Sequence, residues 1–307
     1  MEQGQLPLAH CAVCPRHCRI DRTKNQIGFC HAPLLPKIAL VSTHFWEEPP
    51  ISGTKGSGTV FFSHCNLHCV FCQNHEISEG GFGKEITIER LAEIFLEQQA
   101  KGLHNINLVS PTHFIPQIAM ALRLSKKGGL NIPIIYNSNG YEDIEGLRLL
   151  DGLIDIYLPD FKYWDDGMAK EYSSAPNYAA IASKAILEMR RQVPQDIFNE
   201  HGILQKGLIV RHLVLPSHYR DSFQILDWIK ETLGTDTYVS LLSQYTPMHH
   251  ANRIKALSRK LTTFEYDKVT EYFLNIGLKN GFMQKKSSAT SDYTPIFNLE
   301  GVEKRTH

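Results

Sequence analysis

No cysteine occurs beyond Cys72, although the chain carries seven of them. A disulfide framework staples a small fold along its whole length. An odd number of thiols gathered at one end argues instead for metal binding. Long apolar runs are also missing, and none approaches the ~20 residues that a membrane span needs. The first residues, MEQGQLPLAHCAVC, have no basic segment followed by an apolar stretch, so no export signal is visible. Charge of one sign is not in excess, since 32 Lys+Arg face 32 Asp+Glu. No overall field therefore selects nucleic acid or an anionic membrane, and a cytoplasmic protein with neither partner is expected. What remains is an ordinary globular composition, 42% hydrophobic over 307 residues, enough for one α/β barrel-like domain with attachments.

Residues 1–57 read as a Cys-rich extension with little helical period. The run Gly53-Thr54-Lys55-Gly56-Ser57-Gly58 precedes a strand and lacks the GK[ST] ending of a phosphate loop, so a flexible entry into the barrel is expected. Residues 58–284 then alternate between the two periodicities. Strands are predicted at 59–62, 105–110, 132–136, 153–158, 208–215 and 238–242. Helices are predicted at 87–101 (capped by Thr87), 114–126, 142–151, 178–189, 220–233 and 262–279. Alternation of this kind implies parallel strands joined by right-handed crossovers. Residues 285–307 are polar and aperiodic and read as a C-terminal tail, anchored by Tyr293 and Phe297.

Two cysteine groups carry the chemistry. Cys65, Cys69 and Cys72 lie in HCNLHCVFCQN, on a loop at the C-terminal end of the first predicted strand. A closed zinc site wants four protein ligands, whereas three thiolates on an iron–sulfur cluster leave one iron open. Cys11, Cys14, Cys18 and Cys30 form a second group, able to close a zinc site or to hold an iron–sulfur cluster. His10, His17 and His31 nearby read as solvated loop residues. The pair His249-His250 reads as a surface pair, because adjacent side chains diverge in regular backbone. Asp155 is assigned no role.

The C-x3-C-x-Phe71-C run resembles the signature of the radical S-adenosylmethionine (SAM) superfamily. The likeness is closest to the branch around pyruvate formate-lyase activating enzyme. It implies a partial (β/α)6 barrel, a [4Fe–4S] cluster on Cys65, Cys69 and Cys72, and reductive cleavage of SAM to a 5′-deoxyadenosyl radical that abstracts hydrogen from substrate. Further matches fall at successive strand ends. Ser110-Pro111-Thr112-His113 stands where the family has a Gly-Gly-Glu-like turn, without the acidic residue. Asn137-Ser138-Asn139-Gly140-Tyr141 resembles a Thr-Asn-Gly-[Phe/Tyr] segment, Asp160-Phe161-Lys162 an Asp-x-Lys segment, and Arg211-His212-Leu213-Val214-Leu215-Pro216 an Arg-[Tyr/His]-x-Val-x-Pro strand. The resemblance implies SAM contacts from Phe71, Ser110, Thr112, Asn137, Ser138, Asn139, Asp160, Lys162 and Arg211. Pro15 and Gly28 are similar to residues of N-terminal modules in some activating-enzyme-like members.

An electron donor of low potential, flavodoxin or ferredoxin in type, follows from the same resemblance. So does a substrate that is a glycyl-radical enzyme, another protein or peptide, or a small metabolite. Each segment alone has a plainer reading: Asp160–Lys162 as a strand-end charge pair, Asn139-Gly140 as a turn, Arg211-His212 as a core pair. Their occurrence in the family's order is what favours function. The competing class is a non-catalytic zinc protein that binds partners, which leaves the 65–72 thiols one ligand short.

Overall fold

The computed structural model describes residues 8–284 and 295–304. Tyr293, expected to anchor the tail, lies outside the described residues. The barrel is built from β1 (Lys37–His44), α1 (Pro49–Ser52), β2 (Ser57–Phe62), α2 (His75–Ser78), β3 (Lys84–Glu85), α3 (Ile88–Ala100), β4 (Ile106–Val109) and α4 (Ile115–Lys127). It continues with β5 (Ile134–Ser138), α5 (Ile144–Arg148), β6 (Ile156–Pro159), α6 (Asp166–Ser173), α7 (Tyr178–Gln192), β7 (Ile197–Phe198), β8 (Leu204–Leu213), α8 (Tyr219–Leu233), β9 (Tyr238–Leu242), α9 (Thr263–Asn275) and β10 (Asn280–Met283).

The sheet runs β10-β9-β8-β6-β5-β4-β2-β1-β3. From β2 to β10 every neighbouring pair on this path is parallel, and β1 returns antiparallel along β2. Its two edges, β3 and β10, are not paired with each other among the described residues, so this is the expected partial barrel, open on one side.

Each predicted strand and helix forms, with shifted ends. The Thr87 hydroxyl caps α3 by accepting from the Arg90 N–H at 3.1 Å. The last predicted helix stops early: α9 ends at Asn275, Gly277 adopts φ of 86°, and the chain re-enters the sheet as β10. Further elements escaped prediction, namely β1, α6 and the short α1, α2, β3, β7 and β10. β1 lies in the Cys-rich segment, and α6 precedes α7. Residues 295–304 lie along β1, where the Val41 N–H donates to Glu300 O at 2.9 Å, and Phe297 packs edge-on against Phe61 with ring centroids 5.5 Å apart.

Side-chain alternation sorts the strands. One face of β5, β6 and β8 packs Tyr136, Tyr157, Leu208 and Val210 against the outer helices. The other turns Ile135, Leu158 and Ile209 inward, where Ile51 of α1 joins them as an apolar plug. Two residues further along the same strands, the inward face presents Asn137, Asp160 and Arg211. A floor of aliphatic side chains therefore carries a polar layer at the C-terminal edge, the edge where barrels of this kind place their sites.

Candidate active site

The cysteine loop leaves β2 and is held from several sides. Backbone N–H groups of His68 and Val70 donate to Ser173 O and Tyr172 O at 3.2 and 2.9 Å. The Asn66 side chain, buried, donates to Tyr141 O at 2.7 Å and accepts from Asn139 Nδ2 at 2.7 Å. Each thiol has a polar neighbour. Asn139 Nδ2 donates to Cys65 Sγ at 3.4 Å, Ser173 Oγ donates to Cys69 Sγ at 3.0 Å, and Ser78 Oγ lies 3.3 Å from Cys72 Sγ. Burial, reinforced by Cys69 and Cys72, pushes the Cys65 thiol up to about 12, and burial with Cys69 pushes Cys72 up to about 11. Burial also raises Cys69, with Lys162 opposing it. Thiolates in this loop need a cation, which a metal centre supplies.

All three cysteines line one cavity of about 690 Å³, as do Phe71, Ser110, Asn137, Ser138, Asn139, Asp160, Lys162 and Arg211. Thr112 does not line it. Its hydroxyl donates to Glu142 at 2.7 Å in the packed layer behind β4 and β5. The family's missing acidic residue is thus not replaced in the cavity by Glu142. Lys162 Nζ donates to Asp160 at 2.7 Å. Although burial opposes its charge, Asp160 and Cys69 hold its pKa above the ordinary value. Gly140 brings the β5 and β6 ends together: at φ of 77°, a Cβ there would sit 2.2 Å from Asp160 O. The Tyr178 hydroxyl bridges the same ends, donating to Asn139 O at 2.7 Å and Asp160 O at 2.9 Å.

Arg211 and His212 part company. His212 points outward, with its ring nitrogens 2.7 Å from Phe161 O and 2.8 Å from Ser222 Oγ. Arg211 points into the cavity and meets Glu47 at 3.2 Å, Glu48 at 3.4 Å and Asp160 at 4.0 Å. Those carboxylates raise its pKa against the opposing effect of burial. Glu47 and Glu48 were missed from sequence, because WEEPP reads only as a loop entering a short helix. Asn66, Ser173 and Tyr178 were missed too, since their contacts with Cys65, Cys69 and the strand ends are long-range.

The N-terminal cysteines surround a small buried void in a module that adjoins the cysteine loop. The Arg16 guanidinium lies over the Phe29 and Tyr141 rings and donates to Asn66 O at 2.9 Å. Arg22, buried, donates to Pro33 O and, at 2.7 Å, to His113 O. Gly146 is needed where α5 meets the module, because a Cβ would lie 2.5 Å from Val13 O.

Fold and loop together define a partial parallel barrel with three thiols at its mouth. The profile of the radical SAM superfamily matches residues 59–195. The uncharacterised protein MJ0674 of Methanocaldococcus jannaschii is 31% identical over 272 residues, covering 85% of this chain and 73% of that protein. The chain belongs to the radical SAM superfamily.

Among solved structures, the hydrogenase maturase HydG superposes with a TM-score of 0.51 at 12% identity, covering 76% of this chain and 53% of HydG. Streptococcus suis SuiB, bound to its precursor peptide SuiA, gives 0.50 at 14% identity, covering 72% of this chain and 47% of SuiB. The chain spans about half the length of these structures, and their likeness concerns the fold. Membership implies a [4Fe–4S] cluster, SAM, an electron donor and an enzyme of radical type. The site fits these groups, with three half-buried thiols and an adjoining cavity ringed by polar strand ends. Among the described residues no helix is long and apolar enough to cross a membrane.

Proposed function

We propose that the protein is a cytoplasmic radical SAM enzyme in which Cys65, Cys69 and Cys72 hold the [4Fe–4S] cluster. The observation that carries this reading is the convergence of three thiols on a cavity whose wall is made of strand-end polar groups. When bound, the cluster and SAM supply a carbon-centred radical that takes hydrogen from a substrate. The chain's own residues do the placing. Phe71, edge-on to Tyr245 with ring centroids 5.7 Å apart, shapes the wall beside the thiols. Asn139 orients Cys65 through its amide. Lys162 compensates negative charge from thiolates and from a ligand carboxylate, while Ser110, Asn137 and Ser138 offer polar contacts along the same edge. Arg211, engaged by Glu47 and Glu48, is fixed in the polar layer above the aliphatic floor.

The cavity reaches the gap between the sheet edges, where His44–Pro49 face Gly281–Gln284. A gap of this kind suits the entry of an extended protein or peptide segment, including the glycine loop of a glycyl-radical enzyme. A flavodoxin- or ferredoxin-type donor supplies the electron. Anaerobic reconstitution followed by dithionite-dependent release of 5′-deoxyadenosine tests the reading. A colourless protein that binds zinc and releases none would return it to the zinc-protein class.

We infer that Cys11, Cys14, Cys18 and Cys30 hold a second iron–sulfur cluster. Ligation by four thiolates serves such a centre.

A further inference from the structure

Outside the cavity, the loop after α2 meets the loop after β9. Glu79, His249 and His250 there each offer one ligand atom, and the three atoms lie within 4.8 Å of one another. No other group of three His, Cys, Asp or Glu among the described residues is as close. Regular backbone would send adjacent histidines apart. His249 instead adopts φ of 52°, and the His249 and His250 rings lie 3.7 Å apart at 32°. The sequence expectation of two diverging surface histidines is therefore corrected by one left-handed residue. His249 Nε2 sits 2.7 Å from Glu79 Oε2, and the His75 ring lies 4.8 Å from that of His249. Two imidazoles and one carboxylate suit a borderline divalent transition ion. Zinc takes these donors at about 2.0–2.2 Å and leaves a fourth position for water.

We propose that Glu79, His249 and His250 bind a zinc ion that clips the β9–α9 loop onto the cysteine loop. Both loops already touch at that place. The His250 N–H donates at 2.8 Å to the carbonyl of Val70, which lies between Cys69 and Cys72. Ser78, next to Glu79, is the residue 3.3 Å from Cys72 Sγ. Tyr245, which walls the cavity against Phe71, is on the histidine loop. An ion spanning Glu79 and the histidine pair thus fixes one wall of the cavity from outside. A plain ion pair would use Glu79 and His249 and leave His250 without a part. The site stands apart from the thiols, so it holds whether or not SAM is cleaved.

The test uses full-length, iron-replete protein under anaerobic conditions, so that the thiols are occupied. Zn(II) is titrated against a chromophoric chelator in wild type, Glu79→Gln and His250→Ala at matched iron content. Wild type should take up one zinc per chain, and each variant should bind that zinc at least about tenfold more weakly. Zinc-edge X-ray absorption of the wild type provides a readout that needs no variant, and only nitrogen and oxygen scatterers are expected. Equal affinity in all three proteins, no zinc uptake by wild type, or sulfur in the zinc shell would overturn the site.

Discussion

The seven cysteines are divided between an N-terminal module and the loop after β2, which touch where Arg16 donates to Asn66 O and present their thiols in opposite ways. The four of the N-terminal module line a small buried void, and between Cys18 and Cys30 the chain forms only a single 3-10 turn at Arg22–Lys24. The three after β2 line a large cavity and sit on a loop clamped by α6, by Asn66 and by Asn139. A full donor set without access suits a closed centre that holds its own segment together. An incomplete set facing a cavity suits a centre that takes a ligand. The number of donors and the access to them, rather than residue type, separate the two roles.

The largest expected effect is Cys69→Ala. One of three thiolates is lost at the open site, so 5′-deoxyadenosine release should fall to background and the charge-transfer absorbance should drop. A variant that retains full release would end the assignment of that loop. Next comes Cys14→Ser, which should remove one cluster's worth of iron and destabilise the chain while the SAM-responsive signal of the other cluster survives. Loss of both signals together would erase the contrast between the two loops.

Lys162→Met addresses the open site alone. A charge-assisted contact of this kind contributes about 1.5–3 kcal/mol, so SAM affinity should weaken about ten- to a hundredfold at matched iron content. Equal dissociation constants would take Lys162 out of the SAM contacts.

Much of the frame was legible beforehand. The alternation of strand and helix periods located the parallel strands. β1 escaped because KIALVSTH sits in a segment dominated by cysteine, glycine and proline, and because its partner β2 pairs with it through tertiary contact. The end of α9 was overrun because apolar spacing continues past Asn275, while Gly277 turns the backbone away. In the site, the cysteines were legible from spacing, and the strand-end residues only through the family resemblance. Glu47, Glu48, Asn66, Ser173 and Tyr178 were not, since nothing local marks a residue whose partner lies far along the chain. Thr112 shows the converse. It falls in the right turn, yet its hydroxyl is spent on Glu142 behind the sheet.

The smallest effect concerns that Glu142, which lies where the two cysteine regions adjoin. Burial pushes its carboxyl up to about 7, although Thr112 and Tyr136 donate to it. The unfolded chain releases this proton near pH 4.3. Between that value and about 7 the folded chain holds a proton the unfolded one has lost, so stability falls as pH rises through the window. Glu142→Gln should match wild type near pH 4.5 and exceed it by on the order of 2 kcal/mol at pH 8, read by anaerobic chemical denaturation. A wild type more stable than the variant at pH 8 would mean that the ionised carboxylate has a cationic partner.

The central claim is that the centre on Cys65, Cys69 and Cys72 is open to SAM and that the N-terminal one is closed. Electron paramagnetic resonance of the dithionite-reduced protein, with and without SAM, tests it most directly. In wild type and in Cys14→Ser, adding SAM should change the g-values of one reduced-cluster signal, and in Cys69→Ala that response should vanish. A signal indifferent to SAM in wild type, or a SAM response that survives Cys69→Ala and disappears in Cys14→Ser, would contradict the account.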